Sequence, residues 1–167
     1  MRRITLLLAT VVALCTGFAT SASAGTIFFQ LKVQHTLKCL QVSGGTTAVQ
    51  STCGGFQQQN QIFVLDPLPN GNHRIRNVST NRCLDIRGAN PATGADVIEF
   101  TCTAGAKHQE WGFGFDGAGH YEVVSALNQK CLDVDTFGGG TNNGARVQMW
   151  DCLDNPALNQ RWNLQSI

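Results

Sequence analysis

Residues 131–162 read CLDVDTFGGGTNNGARVQMWDCLDNPALNQRW, and three landmarks in that stretch recur along the chain. The first is a Cys-Leu step, found as Cys39-Leu40-Gln41-Val42, Cys83-Leu84-Asp85-Ile86 and Cys131-Leu132-Asp133-Val134. The second is a cysteine that ends a strand-like stretch, at Cys53 after residues 48–52, at Cys102 after 97–101 and at Cys152 after 147–151. The third is a Gln-x-aromatic step seven or eight residues further on: Gln61-Ile62-Phe63, Gln109-Glu110-Trp111 and Gln160-Arg161-Trp162. The first cysteines lie 44 and 48 residues apart, the second ones 49 and 50. Three landmarks repeated three times in one order mark an internal repeat of about 48 residues, and such a repeat governs the fold before local propensity does.

Within each copy the pattern is that of short strands. Leu31, Ile75 and Val123 each stand eight residues before the first cysteine, in stretches that alternate apolar and polar residues. Turn formers separate the runs at residues 43–45, 69–71, 87–91, 116–117 and 138–140. No stretch sustains the i, i+3, i+4, i+7 apolar pattern of a capped helix. The sequence predicts an all-β chain with about four strands per copy, about twelve in total, packed around a pseudo-threefold axis. Phe63, Trp111 and Trp162 are expected to meet in a shared core.

The 167 residues are 43% hydrophobic and 14% charged, with 18 Gly, 7 Cys and a formal net charge of +1. A single domain is expected at this length. So little charge, without a basic stripe, argues against nucleic acid as a partner and against disorder. Met1-Arg2-Arg3, an apolar run over 4–18 and the small residues Ala22-Ser23-Ala24 have the form of a secretory signal peptide cut after Ala24. The run is too short to span a bilayer comfortably, so membrane insertion is not expected. Leu14 before Cys15 is too bulky for a lipoprotein signal. Removal of residues 1–24 takes Arg2, Arg3 and Cys15 with it, leaving ten basic side chains against eleven acidic ones in residues 25–167. A secreted protein with six cysteines is expected to pair them.

Count alone leaves 15 connectivities. The two kinds of cysteine alternate, which points to one bridge inside each copy: Cys39 to Cys53, Cys83 to Cys102 and Cys131 to Cys152. Each closes a loop worth on the order of 3 kcal/mol. There is no C-x-x-C or H-E-x-x-H, and His35, His73, His108 and His120 share no ligand spacing, so neither a metal nor another cofactor is expected.

The Cys-Leu-Asp-Val, Val-Gln-Met-Trp-Asp-Cys and Asn-Gln-Arg-Trp segments of the third copy resemble the ricin-type lectin repeat, also known as the family 13 carbohydrate-binding module. The resemblance covers essentially all of residues 25–167 and implies a β-trefoil, with copies at about 26–68, 69–116 and 117–167. The first copy departs from it by carrying Phe63 where the family usually has Trp.

A sugar ring offers hydroxyls that need directional hydrogen bonds and a C–H face that prefers an aromatic surface. By resemblance, Asp133 accepts from two sugar hydroxyls, Trp150 stacks on the ring and Asn159 completes the hydroxyl contacts. Gln160 supports Asp133 from behind, and Gln148 lines the pocket. The second copy keeps Asp85, Phe100, His108 and Gln109 but has Ile98 in place of the pocket Gln, so a weaker site is expected. The first copy has Gln41 for the Asp and Ser51 for the aromatic, which implies a structural role. An isolated Asp is ordinarily a turn former and an isolated Trp ordinarily core; the whole constellation carries the functional assignment.

Other motifs are turned down. Residues 112–117 match G-x-G-x-x-G without a following helix. Asp133 to Gly138 resembles half a calcium loop, with Phe137 where a ligand belongs. No G-x-S-x-G occurs, and the repeats leave no room within residues 25–167 for a catalytic domain, so no enzyme is expected. Asn77-Val78-Ser79 is a glycosylation sequon. The expectation is a secreted lectin for galactose-like or xylan- and arabinan-type glycans or polysaccharides. The alternative is a trefoil that binds or inhibits a protein.

Overall fold

The computed structural model describes residues 26–137, 140–154 and 157–167; the segment expected to be a signal peptide and part of the expected 138–140 turn lie outside them. The described residues form twelve strands: β1 (Phe29–Val33), β2 (Cys39–Gln41), β3 (Val49–Ser51), β4 (Phe63–Pro67), β5 (His73–Asn77), β6 (Cys83–Ile86), β7 (Val97–Phe100), β8 (Trp111–Phe115), β9 (Tyr121–Ser125), β10 (Cys131–Val134), β11 (Val147–Trp150) and β12 (Trp162–Ser166). Six of them close a barrel through antiparallel pairings of β1 with β4, β4 with β5, β5 with β8, β8 with β9, β9 with β12 and β12 with β1. The remaining six form the hairpins β2–β3, β6–β7 and β10–β11. Four strands from each copy in this arrangement make a β-trefoil.

The alternation seen in the sequence becomes the two faces of each strand. Leu31, Ile75 and Val123 are fully buried in the barrel, and Leu40, Leu84 and Leu132 are buried on the inner face of the hairpins. Phe63, Trp111 and Trp162 share this core. The Trp111 indole N–H donates to the Leu84 carbonyl at 3.2 Å and that of Trp162 to the Leu132 carbonyl at 2.9 Å. Leaving a buried donor unmade costs ~1–3 kcal/mol. Phe63 fills its place in the first copy without bringing a donor to satisfy.

Backbone bonds also tie the hairpins to one another. Ala48 N–H donates to Val97 O at 2.7 Å, Val147 N–H to Ala48 O at 2.8 Å and Met149 N–H to Ala95 O at 2.9 Å. The three bridges are Cys39–Cys53, Cys83–Cys102 and Cys131–Cys152, with Cα separations of 5.1, 5.0 and 5.0 Å, inside the normal span. Two residues before each first cysteine the chain turns through the left-handed region, at Leu37 (φ 58°), Asn81 (φ 56°) and Gln129 (φ 58°). The sequon asparagine is part of the packed interior of the folded chain. Asn77 is buried, and its Nδ2 donates to the Gln59 and Ile62 carbonyls, both at 3.1 Å.

Candidate functional site

In the β10–β11 hairpin, Asp133 pairs across the strands with Gln148, and Cys131 with Trp150. Leu132, Val134, Val147 and Met149 face the core. The opposite face therefore carries Asp133, Gln148 and Trp150 together, by the two-residue period of the strand. Strand register thus joins the disulfide in bringing Asp133 close to Trp150.

These three side chains and Asn159 line a hollow of about 180 Å³, whose other walls are Asp135, Thr136, Phe137 and Leu153. Asp133 Oδ1 accepts from Gln148 Nε2 at 3.1 Å, and its Oδ2 accepts from Asn159 Nδ2 at 2.7 Å and Gln160 Nε2 at 2.9 Å. A carboxylate has about four acceptor positions, so room for a ligand hydroxyl remains. Asn159 also donates to the Val134 carbonyl at 3.1 Å, which leaves its side-chain oxygen as the group it offers a ligand. Gln160 is fully buried behind Asp133: it donates to the Asp151 carbonyl at 2.9 Å and accepts from Leu153 N–H at 2.9 Å. Gln148 is held from its other end by Arg146, whose Nη2 donates to Gln148 Oε1 at 2.6 Å and to Asp135 Oδ2 at 3.0 Å.

The second copy repeats the plan. Asp85, Phe100 and His108 line a hollow of about 450 Å³ together with Arg87, Gly88, Ala89 and Ile98. Gln109 lies buried behind it, donating to Asp85 Oδ2 at 2.6 Å and to the Thr101 carbonyl at 2.9 Å. His108 Nε2 stands 3.5 Å from Asp85 Oδ2. In the first copy Gln61 makes the same bonds, to Gln41 Oε1 at 3.1 Å and the Thr52 carbonyl at 2.9 Å. The Gln of each Gln-x-aromatic step is therefore a clamp on its hairpin whether or not a carboxylate is present.

Burial pushes the Asp133 carboxyl above the ordinary value, against the opposing hydrogen bonds from Gln148 and Gln160; the charge of Asp135 pushes the same way. Burial also raises Asp85, opposed by the Gln109 hydrogen bond and by His108.

Phe137, Asp135, Leu153 and Arg146 escape the sequence as site residues. Phe137 and Asp135 sit beside the Gly run, where nothing local says which way a loop folds. A lone aromatic inside that Gly-rich turn is the one signal available.

Over residues 71–167 the chain matches the ricin-type β-trefoil lectin domain, and over residues 18–100 the ricin-type β-trefoil lectin domain-like family. The chain belongs to the ricin-type β-trefoil lectin domain family. Human polypeptide N-acetylgalactosaminyltransferase 14 is 31% identical over 84 residues, which are 50% of this chain and 14% of that protein. The chain thus spans about a seventh of the curated relative it matches. Among solved structures, a designed threefold-symmetric protein, ThreeFoil, superposes with a TM-score of 0.75 at 27% identity, covering 84% of this chain and 99% of that one. An exo-β-1,3-galactanase from Clostridium thermocellum gives a TM-score of 0.75 at 28% identity, over 86% of this chain and 31% of the enzyme. The Rhizoctonia solani agglutinin shares the fold, with a TM-score of 0.70 at 17% identity over 89% of this chain and 100% of the agglutinin.

Proposed function

We propose that this ricin-type domain is a secreted, non-enzymatic lectin of the family 13 carbohydrate-binding type, with its main sugar site in the Asp133 hollow and a weaker one at Asp85. One observation carries the proposal. Asp133 is only 3% exposed, and among the described residues no Lys or Arg pairs with it. An unpaired buried carboxylate costs stability, and the first copy keeps the same clamp with Gln41 in its place. The scaffold does not need the charge; a sugar hydroxyl that donates to it does. Trp150, half-buried on the same wall, supplies the stacking surface.

The preferred ligands are galactose-like sugars or xylan- and arabinan-type chains. The galactose series is supported by the names of two relatives, a galactanase and an N-acetylgalactosaminyltransferase. Secretion is supported by the three disulfides and by the signal-like residues 1–24. A glycan array carrying galactose, lactose, xylose and arabinose oligomers tests the proposal. Wild type binds a defined subset and Asp133→Ala loses most of it; no saccharide binding, or binding indifferent to Asp133→Ala, removes the third-repeat site.

A further inference from the structure

We propose that the Asp133 site continues past Phe137 into a second subsite, so that its ligand is an uncharged chain of at least two sugar units; this rests on the lectin assignment of the Asp133 hollow. A second hollow of about 310 Å³ adjoins the first and shares Asp135 and Phe137 with it. Its further walls include Asn142, Asn143, Gly144 and Arg146. Alone, the first hollow of about 180 Å³ falls below the ~300–1,000 Å³ of ordinary small-molecule sites, whereas with its neighbour it falls inside that range. Phe137 is 84% exposed, more than any other large apolar side chain described. It stands between the two hollows, where the C–H faces of consecutive sugar units cover it.

The walls of the second hollow are fixed in advance by the first repeat. Gln50, fully buried in β3, donates Nε2 to the Gly140 carbonyl at 2.7 Å and the Asn142 carbonyl at 3.0 Å, and its Oε1 accepts from the Thr36 hydroxyl at 2.7 Å. His35 Nε2 donates to the same Gly140 carbonyl at 3.0 Å. Asn143 Oδ1 accepts from Thr52 N–H at 3.1 Å. A wall tied at these points loses little entropy when a ligand arrives. The first repeat, which lacks the carboxylate and aromatic of its own site, thus shapes the third.

The charge of the hollow selects a neutral ligand. Arg146 is the cation there, and Asp135 at 3.0 Å and Asp96 at 3.3 Å already neutralise it, so a uronate or phosphate finds no free positive charge. The exposed Asn142 amide remains as donor and acceptor for hydroxyls.

Titration calorimetry with galactose against β-1,3-galactobiose, and xylose against xylobiose, tests the subsite on wild type, Asn142→Ala and Asp133→Ala. For the series that binds, the disaccharide is expected to bind about tenfold tighter than the monosaccharide. Asn142→Ala is expected to weaken the disaccharide about threefold or more and leave the monosaccharide unchanged. Equal affinity for both lengths, or a disaccharide indifferent to Asn142→Ala, overturns the subsite. Tighter binding of a disaccharide ending in glucuronic acid overturns its neutrality. Loss of all binding in Asp133→Ala alongside a silent Asn142→Ala rejects the subsite and keeps the lectin; indifference to Asp133→Ala rejects the lectin site itself.

Discussion

Gln160 Nε2 donates to Asp133 Oδ2 at 2.9 Å from a side chain that is itself fully buried, and so ties a pocket-lining carboxylate to the end of its own hairpin. Gln109 does the same for Asp85, and Gln61 for the uncharged Gln41.

The shared clamp separates stability from binding. Gln160→Leu and Gln61→Leu are each expected to lower stability by about 2–3 kcal/mol, because each strands hydrogen-bonding partners at a hairpin end. Only Gln160→Leu is expected to weaken saccharide binding, since Gln61 backs no carboxylate. Urea denaturation and sugar titration on both variants check this.

Acid is expected to switch the main site off early. Asp133 lies above its ordinary value of 3.8, chiefly through burial, so it protonates and loses its acceptor charge for a sugar hydroxyl while an exposed Asp is still charged. Affinity should therefore fall as the pH drops, beginning above 3.8. The stability linkage has the opposite sign. With the folded-state pKa above the unfolded one, protonation favours the folded chain, so the wild type gains stability relative to Asp133→Asn as pH falls through that window. Denaturation of both proteins across the pH range measures the difference.

Gln50→Met places in β3 the residue that β11 carries at the matching position, Met149. It removes the side-chain bonds to Thr36, Gly140 and Asn142. A loss of about 2 kcal/mol is expected, with saccharide affinity several-fold weaker although Gln50 lines neither hollow. Thermal unfolding and titration together read this out.

Leu37 holds φ 58° while 58% exposed, where Asn81 and Gln129 occupy the matching turns. A left-handed backbone costs an ordinary residue roughly 1–2 kcal/mol, and Asn tolerates it best after Gly. Leu37→Asn is expected to stabilise the protein by about 0.5–1 kcal/mol in urea denaturation, with sugar binding unchanged.

The fold was legible because its determinants recur: one buried apolar residue before each first cysteine, one aromatic after each clamp and one bridge per hairpin. That Asp133, Trp150 and Asn159 stand around one hollow was legible for the same reason, since register within one hairpin and one following turn places them. The loop carrying Phe137 was not. Its wall is set by His35 and Gln50, 105 and 90 positions from Gly140, through contacts between copies that no repeat motif encodes. The roles of Arg146 and Asp135 were hidden likewise, because their pairing fixes Gln148 only once β10 and β11 are in register.

The central assignment, that Asp133 anchors a sugar, is tested most directly by titrating the best array saccharide into wild type, Asp133→Ala, Asp85→Ala and Gln41→Ala, with folding verified by unchanged near-UV circular dichroism. Asp133→Ala is expected to cost about tenfold or more in affinity, as loss of hydrogen bonds to a charged acceptor does. Asp85→Ala should cost less, and Gln41→Ala nothing. Wild-type affinity in folded Asp133→Ala would contradict the assignment.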